Sequence, residues 1–142
     1  DRAGAVKRLM RSDLISFVVL TGPERASLDE GLFFHERLAE ESMPFGCFVV
    51  NRTRRPFTSD PVATASKLRA ATSSDRDAIE PLVRNFERYH VLASRDAAEI
   101  AKTRTLLGDT ALRQVPDFEE DIHDLRGLHR YADHLLAADS PS

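Results

Sequence analysis

The fold is decided by residues 14–52, LISFVVLTGPERASLDEGLFFHERLAEESMPFGCFVVNR. The run at 14–20 is apolar and rich in β-branched and aromatic side chains, and the breaker sequence TGPER follows it, which predicts a strand and its exit loop. A helix comes next, because Ser27 and Glu30 have capping-box spacing and an apolar stripe follows them. MPFG then turns the chain into CFVVN, a second strand. The length between the two strands suits a right-handed parallel crossover.

The middle of the chain is predicted to be mostly helical, over residues 61–107. Asp60 and Pro61 suit the N-cap and first position of a helix, because an aspartate accepts from first-turn amides and a proline has no amide to leave unpaired. Ser74 and Ser94 are candidate caps of later helices in this stretch.

A third strand and a last helix complete the pattern. Gly108 is predicted to end the helical stretch as a C-terminal cap. Residues 111–115 read as a short strand that stops at Pro116, and PDFEED leads into a final helix with apolar residues on one side, among them Ile122. Alternating strands and helices predict one α/β domain over residues 1–142, a three-layer α/β/α arrangement with a mostly parallel sheet. Three strands are few for such a sheet, so something else is expected to complete it.

Composition excludes several classes of protein. The 142 residues carry 20 Lys and Arg against 23 Asp and Glu, a formal charge of -3 with both signs mixed, so no nucleic-acid partner is expected. The apolar runs are far shorter than the roughly 20 residues that cross a bilayer, which predicts a soluble fold. Cys47 is the single cysteine, so no internal disulfide can form, and a reducing cytoplasm is the expected location.

Asn51 is the first candidate for a functional residue. It ends a strand that reads as buried on both faces, and ligands of open parallel sheets bind at the carboxyl ends of the strands. A side-chain amide can both donate to and accept from the edge of an adenine. The alternative is that Asn51 only turns the chain or caps a neighbouring backbone group.

Two segments together carry a resemblance to a known family. FVVLTGPERASLDEGLFFHERLAEESMPFGCFVVNR, residues 17–52, and VPDFEEDIHDLRGLHRYADHLL, residues 115–136, resemble the arsenite-pump and tail-anchored-protein-targeting ATPases. In that family a strand leads to a Pro-Glu loop, a helix and a second strand ending in Asn. The later segment is similar to the family's last strand, its adenine loop and its closing helix.

The resemblance implies a P-loop NTPase-like fold and an ATPase that dimerises around two nucleotides. It implies that Asn51 contacts the adenine base and that Pro116, Asp117 and Phe118 form the loop packed against it. Pro116 could equally serve only to end a strand. For Glu24, in the Pro-Glu loop, the resemblance implies a contact with the nucleotide or the dimer partner, and the alternative is a solvated surface acid.

The departures from the family are as informative as the agreements. Phosphoryl transfer needs a glycine-rich loop and a lysine, and no glycine of this chain stands in a Gly-Lys-Ser or Gly-Lys-Thr sequence. The chain is therefore interpreted as a C-terminal portion that holds the base of ATP, with Mg²⁺ and the phosphates handled by an N-terminal P-loop portion of the same protein. A start at Asp1 rather than at methionine fits this interpretation. No catalytic residue is assigned, and the chain alone is not expected to hydrolyse ATP.

Other family features are missing too. Residues 53–75 contain no CxxC pair, and one cysteine cannot collect metalloid, so neither membrane-protein delivery nor arsenite pumping can be assigned. A peripheral membrane-protein partner is left open. His35-Glu36 begins like a zinc-protease motif, but Ala39 stands where the second histidine would be, so no metal site is predicted.

Phe33 falls among charged residues of the predicted helix rather than on its apolar stripe. One hypothesis is that Phe33 touches the N-terminal portion or a second subunit, and the alternative is an ordinary exposed apolar residue. A nonenzymatic α/β interaction or dimerisation module is the competing function. An unrelated small α/β enzyme is disfavoured, because no nucleophile and base are paired in the sequence.

Overall fold

The computed structural model describes residues 2–71 and 76–136. These residues form helices and strands in the order α1, β1, α2, β2, α3, α4, β3, α5. The helices are α1 Arg2–Met10, α2 Arg25–Glu40, α3 Pro61–Ala71, α4 Arg76–Leu107 and α5 Leu125–Leu136. The strands are β1 Phe17–Thr21, β2 Phe45–Thr53 and β3 Leu112–Pro116. The first helix, α1, was not anticipated from the sequence.

The three strands make one parallel sheet in the order β1-β2-β3. The α/β class and the parallel pairing predicted from the sequence are therefore confirmed. The predicted start of the first strand at residue 14 is wrong, because Leu14 is 82% exposed and pairing with β2 begins only at Phe17. No helix in the described ranges combines the length and the apolar character needed to span a membrane.

Helix boundaries correct two of the predicted caps. Helix α2 begins before Ser27, with Glu24 at the N-cap and no side-chain cap, so the predicted capping box is wrong. Ser27 instead offers its backbone carbonyl to the Thr21 hydroxyl, which donates to it at 2.6 Å. Ser94 is also not a cap, because it lies inside α4, which continues through it without a break. Ser74 lies outside the described residues.

Two other caps are confirmed. The Asp60 carboxylate accepts from the Ala63 amide at 2.9 Å, one turn into α3. Gly108 ends α4 with a φ of 59°, the left-handed conformation that glycine adopts without steric cost, and its amide donates to the Arg104 carbonyl at 3.1 Å.

The chain divides into two compact units, residues 1–53 with 99–142 and residues 54–98. The first unit contains the sheet and a core centred on the fully buried ring of Phe48. That core joins α2, β2, β3 and the end of α4 through Leu28, Phe48, Val50, Ile100, Leu107 and Leu112. Gly31 lets α2 approach the sheet closely, since a Cβ there would lie 2.6 Å from Phe48 Cζ.

The second unit contains α3 and the first part of α4, and buries Ala65, Val83 and Ala93. Arg54 donates to the nearly buried carboxylate of Asp96 at 2.8 Å. Arg54 is therefore held by a carboxylate of the same unit rather than being a fully solvated turn residue.

Candidate functional site

The ends of β2 and β3 lie side by side, as expected for neighbouring parallel strands. Thr53 is paired with Pro116, and the Asp117 amide donates to the Thr53 carbonyl at 3.0 Å. The buried Thr53 hydroxyl donates to the Val115 carbonyl at 3.2 Å. These bonds fix the start of the loop after β3 against the end of β2.

An irregularity in β2 shapes this edge of the sheet. Val50 pairs with Gln114 and Thr53 with Pro116, so β2 uses one residue more than β3 over the same interval. Arg52 takes up the extra length with a φ of 58°, a conformation that is uncommon for a residue with a Cβ. The bulge lies directly beside Asn51.

Arg52 contacts the loop of the neighbouring strand. Its Nε donates to Asp117 Oδ1 at 3.2 Å. Both side chains are more than half exposed, so the pair contributes little to stability, on the order of 0–1 kcal/mol. Its consequence is local: it holds the Arg52 guanidinium beside the Asp117 carboxylate.

The two strand ends and the following loop line an open cavity of about 250 Å³, called here the β2–β3 cavity. It is lined by Asn51, Arg52, Pro116, Asp117, Phe118, Glu120, Asp121, Ile122 and Tyr131. All four residues predicted to hold a nucleotide base are therefore brought together. Ile122, expected on the last helix, precedes α5 and lines the cavity instead.

Phe118 is packed by groups of α5. Its ring centroid lies 6.4 Å from that of Tyr131 and 5.7 Å from that of His134, and the Arg130 guanidinium lies 5.7 Å from the Phe118 centroid. The Phe118 side chain is half-buried by these neighbours. An aromatic ring held in this way presents a fixed surface to a ligand.

The Asn51 side chain is half-buried and forms no hydrogen bond with any described residue. Its two donors and its acceptor are thus available to a ligand in the cavity. This arrangement does not match an asparagine whose amide caps a neighbouring backbone group within the described chain.

Two of the sequence-predicted residues lie elsewhere. Phe33 is 60% exposed on α2. The centroid of its ring lies 6.4 Å from that of the similarly exposed Phe34, and the two rings meet edge to face. Glu24 is exposed at the N-terminus of the same helix. Neither lines the β2–β3 cavity, so a contact with a second polypeptide stays a prediction for both.

Sequence reasoning did not assign Arg52, Glu120, Asp121, Ile122 and Tyr131 to this site. The proximity of Glu120 and Asp121 to the PDF segment was the available signal, because residues just beyond a strand end share the same edge of the sheet. Tyr131 gave no such signal, since its position depends on how α5 packs.

A second, larger groove lies in the other unit. It measures about 440 Å³ and is lined by Arg84, Glu87, Arg88, Val91 and Leu92 of α4. These residues belong to one helix, and they bring no polar groups from separate elements onto a shared point. Convergence of polar groups from different elements is what distinguishes a ligand site, so the β2–β3 cavity is the better candidate.

Metal binding has no support in the described ranges, where no group of three or more His, Cys, Asp or Glu side chains could hold an ion.

Comparison with known proteins found no matching family model and no significant match to a curated protein.

Proposed function

We propose that this chain is the adenine-binding C-terminal part of an ATP-hydrolysing ATPase similar to the arsenite-pump and tail-anchored-protein-targeting family. One observation carries the proposal. The side-chain amide of Asn51 forms no hydrogen bond with a described residue, and Asn51 lines the same cavity as Pro116, Asp117 and Phe118.

The chemistry of the cavity suits a base, and the cavity is small. Sites for drug-sized ligands measure roughly 300–1,000 Å³, and the β2–β3 cavity, at about 250 Å³, is somewhat smaller. The amide of Asn51 matches the donor and acceptor that adjoin on the edge of adenine, as in the reading of adenine by asparagine in DNA. Pro116 and Phe118 supply apolar surface for the faces of the ring.

Phosphate chemistry is assigned to another polypeptide segment. The chain contains no Gly-Lys-Ser or Gly-Lys-Thr sequence, so ATP hydrolysis requires a P-loop portion that also handles Mg²⁺. Strand β1 has one neighbour among the described strands, and its Val18 and Leu20 are 56% and 61% exposed. An exposed apolar edge strand is a ready acceptor for further strands, which favours assembly with such a portion. The proposed location is the cytoplasm, and the proposed whole protein is a dimer.

Nucleoside titration tests the base assignment without the missing phosphate loop. We expect adenosine to bind the chain in preference to guanosine, measured by chemical-shift changes in the ¹⁵N-labelled protein. Asn51→Ala should weaken adenosine binding by about 1–3 kcal/mol and remove the preference, since one bidentate base contact is worth about that much.

Asn85→Ala is the matched control, because Asn85 is an exposed asparagine of α4 outside the β2–β3 cavity. It should leave the affinity for adenosine unchanged. Equal affinities of adenosine and guanosine, or an Asn51→Ala variant that binds adenosine like the unmodified chain, would contradict the assignment.

The second candidate is a nonenzymatic interaction or dimerisation module. The exposed ring pair of Phe33 and Phe34 on α2 favours it, because two adjacent exposed aromatic rings are typical anchors of protein interfaces. Sedimentation of the chain and of Phe33→Glu tests it: a dimer that the substitution dissociates, in a chain that binds no nucleoside, would favour this function.

A further inference from the structure

The charges around the β2–β3 cavity are unbalanced. One guanidinium, that of Arg52, stands against the three carboxylates of Asp117, Glu120 and Asp121, a formal charge of -2. Arg52 is already paired with Asp117. Neither Glu120 nor Asp121 forms an ion pair with a described residue, and both are exposed.

Such a lining is unusual for a site that meets a phosphate chain. Sites for nucleotide phosphates present backbone amides, lysine or arginine, or a metal ion. The carboxylates here do not form a cluster that could hold a metal ion, so a bound cation does not explain them within the described residues. Arg130 lies against Phe118 and offsets part of the charge, but it does not line the cavity.

On the basis of the proposed function, we infer that the β2–β3 cavity selects the uncharged nucleoside end of an adenine nucleotide and opposes its phosphates. The carboxylates of Glu120 and Asp121 accept hydrogen bonds from the ribose hydroxyls. An acidic side chain that accepts from a ribose 2′-hydroxyl is an established way of recognising that sugar. The phosphate chain points out of the cavity, where another segment neutralises it.

The size of the repulsion follows from Coulomb's law. Free ATP carries about four negative charges, and its phosphates are taken to lie about 10 Å from the two unbalanced carboxylates of the cavity. At 0.15 M salt the Debye length is about 8 Å, and the repulsion then lowers the affinity for ATP about fivefold relative to that for adenosine. At 0.01 M salt the Debye length is about 30 Å, and the loss grows to about fiftyfold. Adenosine carries no charge, so its affinity is the same at both salt concentrations.

Four ligands test the inference on the chain as it stands: adenosine, 2′-deoxyadenosine, AMP and ATP, all without Mg²⁺. Dissociation constants are measured by calorimetry at 0.01 M and 0.15 M salt. We expect adenosine to bind more tightly than ATP, AMP to fall between them, and the difference to widen at low salt. Removal of the 2′-hydroxyl should weaken binding about fivefold, the effect of losing one hydrogen bond to a charged acceptor at an exposed site.

The double substitution Glu120→Gln and Asp121→Asn removes the two unpaired charges while keeping the side-chain shapes. It should raise the affinity for ATP relative to that for adenosine about fivefold at 0.15 M salt, and it should reduce the preference for adenosine over 2′-deoxyadenosine. Asp13→Asn with Glu36→Gln is the matched control, because it makes the same change of charge at exposed positions outside the cavity and should alter neither ratio.

The outcomes separate the inference from the proposed function. If ATP bound more tightly than adenosine and Asn51→Ala still weakened binding, the inference would be overturned and the base assignment would stand. Binding of none of the four ligands would overturn both. The comparison of ligands on the unmodified chain needs no variant, so a variant that fails to fold does not prevent a decision.

Discussion

Replacing Gly31 with alanine should destabilise the protein, although alanine is the better helix former. The new Cβ would lie 2.6 Å from Phe48 Cζ, 3.1 Å from Phe48 Cε2 and 3.5 Å from Val19 Cγ1. A contact of 2.6 Å requires α2 or the ring to move by about an ångström, and the Phe48 ring is completely buried. Overpacking of this kind costs about 1–3 kcal/mol. The helix gains about 1 kcal/mol from the loss of glycine, so the net loss should be about 1 kcal/mol and at most about 2 kcal/mol.

Urea unfolding followed by circular dichroism measures the free energy of unfolding of Gly31→Ala. Gly4→Ala is the control, because Gly4 lies in α1 and its added Cβ meets only the flexible end of Arg8, at 3.6 Å. That variant should be neutral or up to about 1 kcal/mol more stable. In a double-mutant cycle, Phe48→Leu should relieve part of the cost of Gly31→Ala. If Gly31→Ala were as stable as Gly4→Ala, α2 could not approach the sheet as closely as the structure has it.

Three further predictions concern the ends of helices. Gly108→Ala should cost about 1 kcal/mol in urea unfolding, because φ at this position is 59° and the open space around it leaves backbone strain as the cause. Asp60→Ala should lose about 1 kcal/mol in the same assay, since it removes the cap of α3; Asp60→Asn, which keeps the acceptor, should lose much less. The hydrogen bond from Arg11 holds the pKa of Glu41 below its ordinary value of 4.5. The ionised Glu41 side chain therefore stabilises the fold above pH 4.5, and this stabilisation is lost as the pH falls through the lowered pKa. Arg11→Ala should move the pKa of Glu41 upward in an NMR titration, and a pKa that stays where it was would show that the ion pair is not formed in solution.

The sequence was sufficient to predict the elements that depend on local chemistry. Asp60 and Gly108 were identified as caps because their short-range roles need no tertiary information. The apolar runs around Val19 and Phe48 identified the first two strands, and alternation with helices identified parallel pairing. The shared edge that holds Asn51 followed from these predictions and from the general rule for ligand sites in parallel sheets.

Tertiary packing decided what the sequence left open. Ser27 has the right spacing for a cap, but the helix starts earlier, where the chain leaves β1 and the Thr21 hydroxyl engages the Ser27 carbonyl. The sequence around Ser94 also suits a cap, yet α4 continues through Ser94 because serine is tolerated in a helix whose other face is buried. Glu120 and Asp121 lie near the end of β3 in the sequence, which indicates the right edge of the sheet, but the orientation of their side chains depends on the irregular loop after β3.

The extra residue between Val50 and Thr53 makes chain length, rather than residue identity, the feature that creates the site. Val50 and Thr53 keep their partners Gln114 and Pro116 in spite of the extra residue, so deleting Arg52 would restore even spacing along β2 and remove the bulge beside Asn51. Such a deletion should therefore leave the strand pairing intact while it changes the edge of the cavity. In a library of single-residue deletions, Arg52 would be the position of β2 whose loss the fold tolerates best.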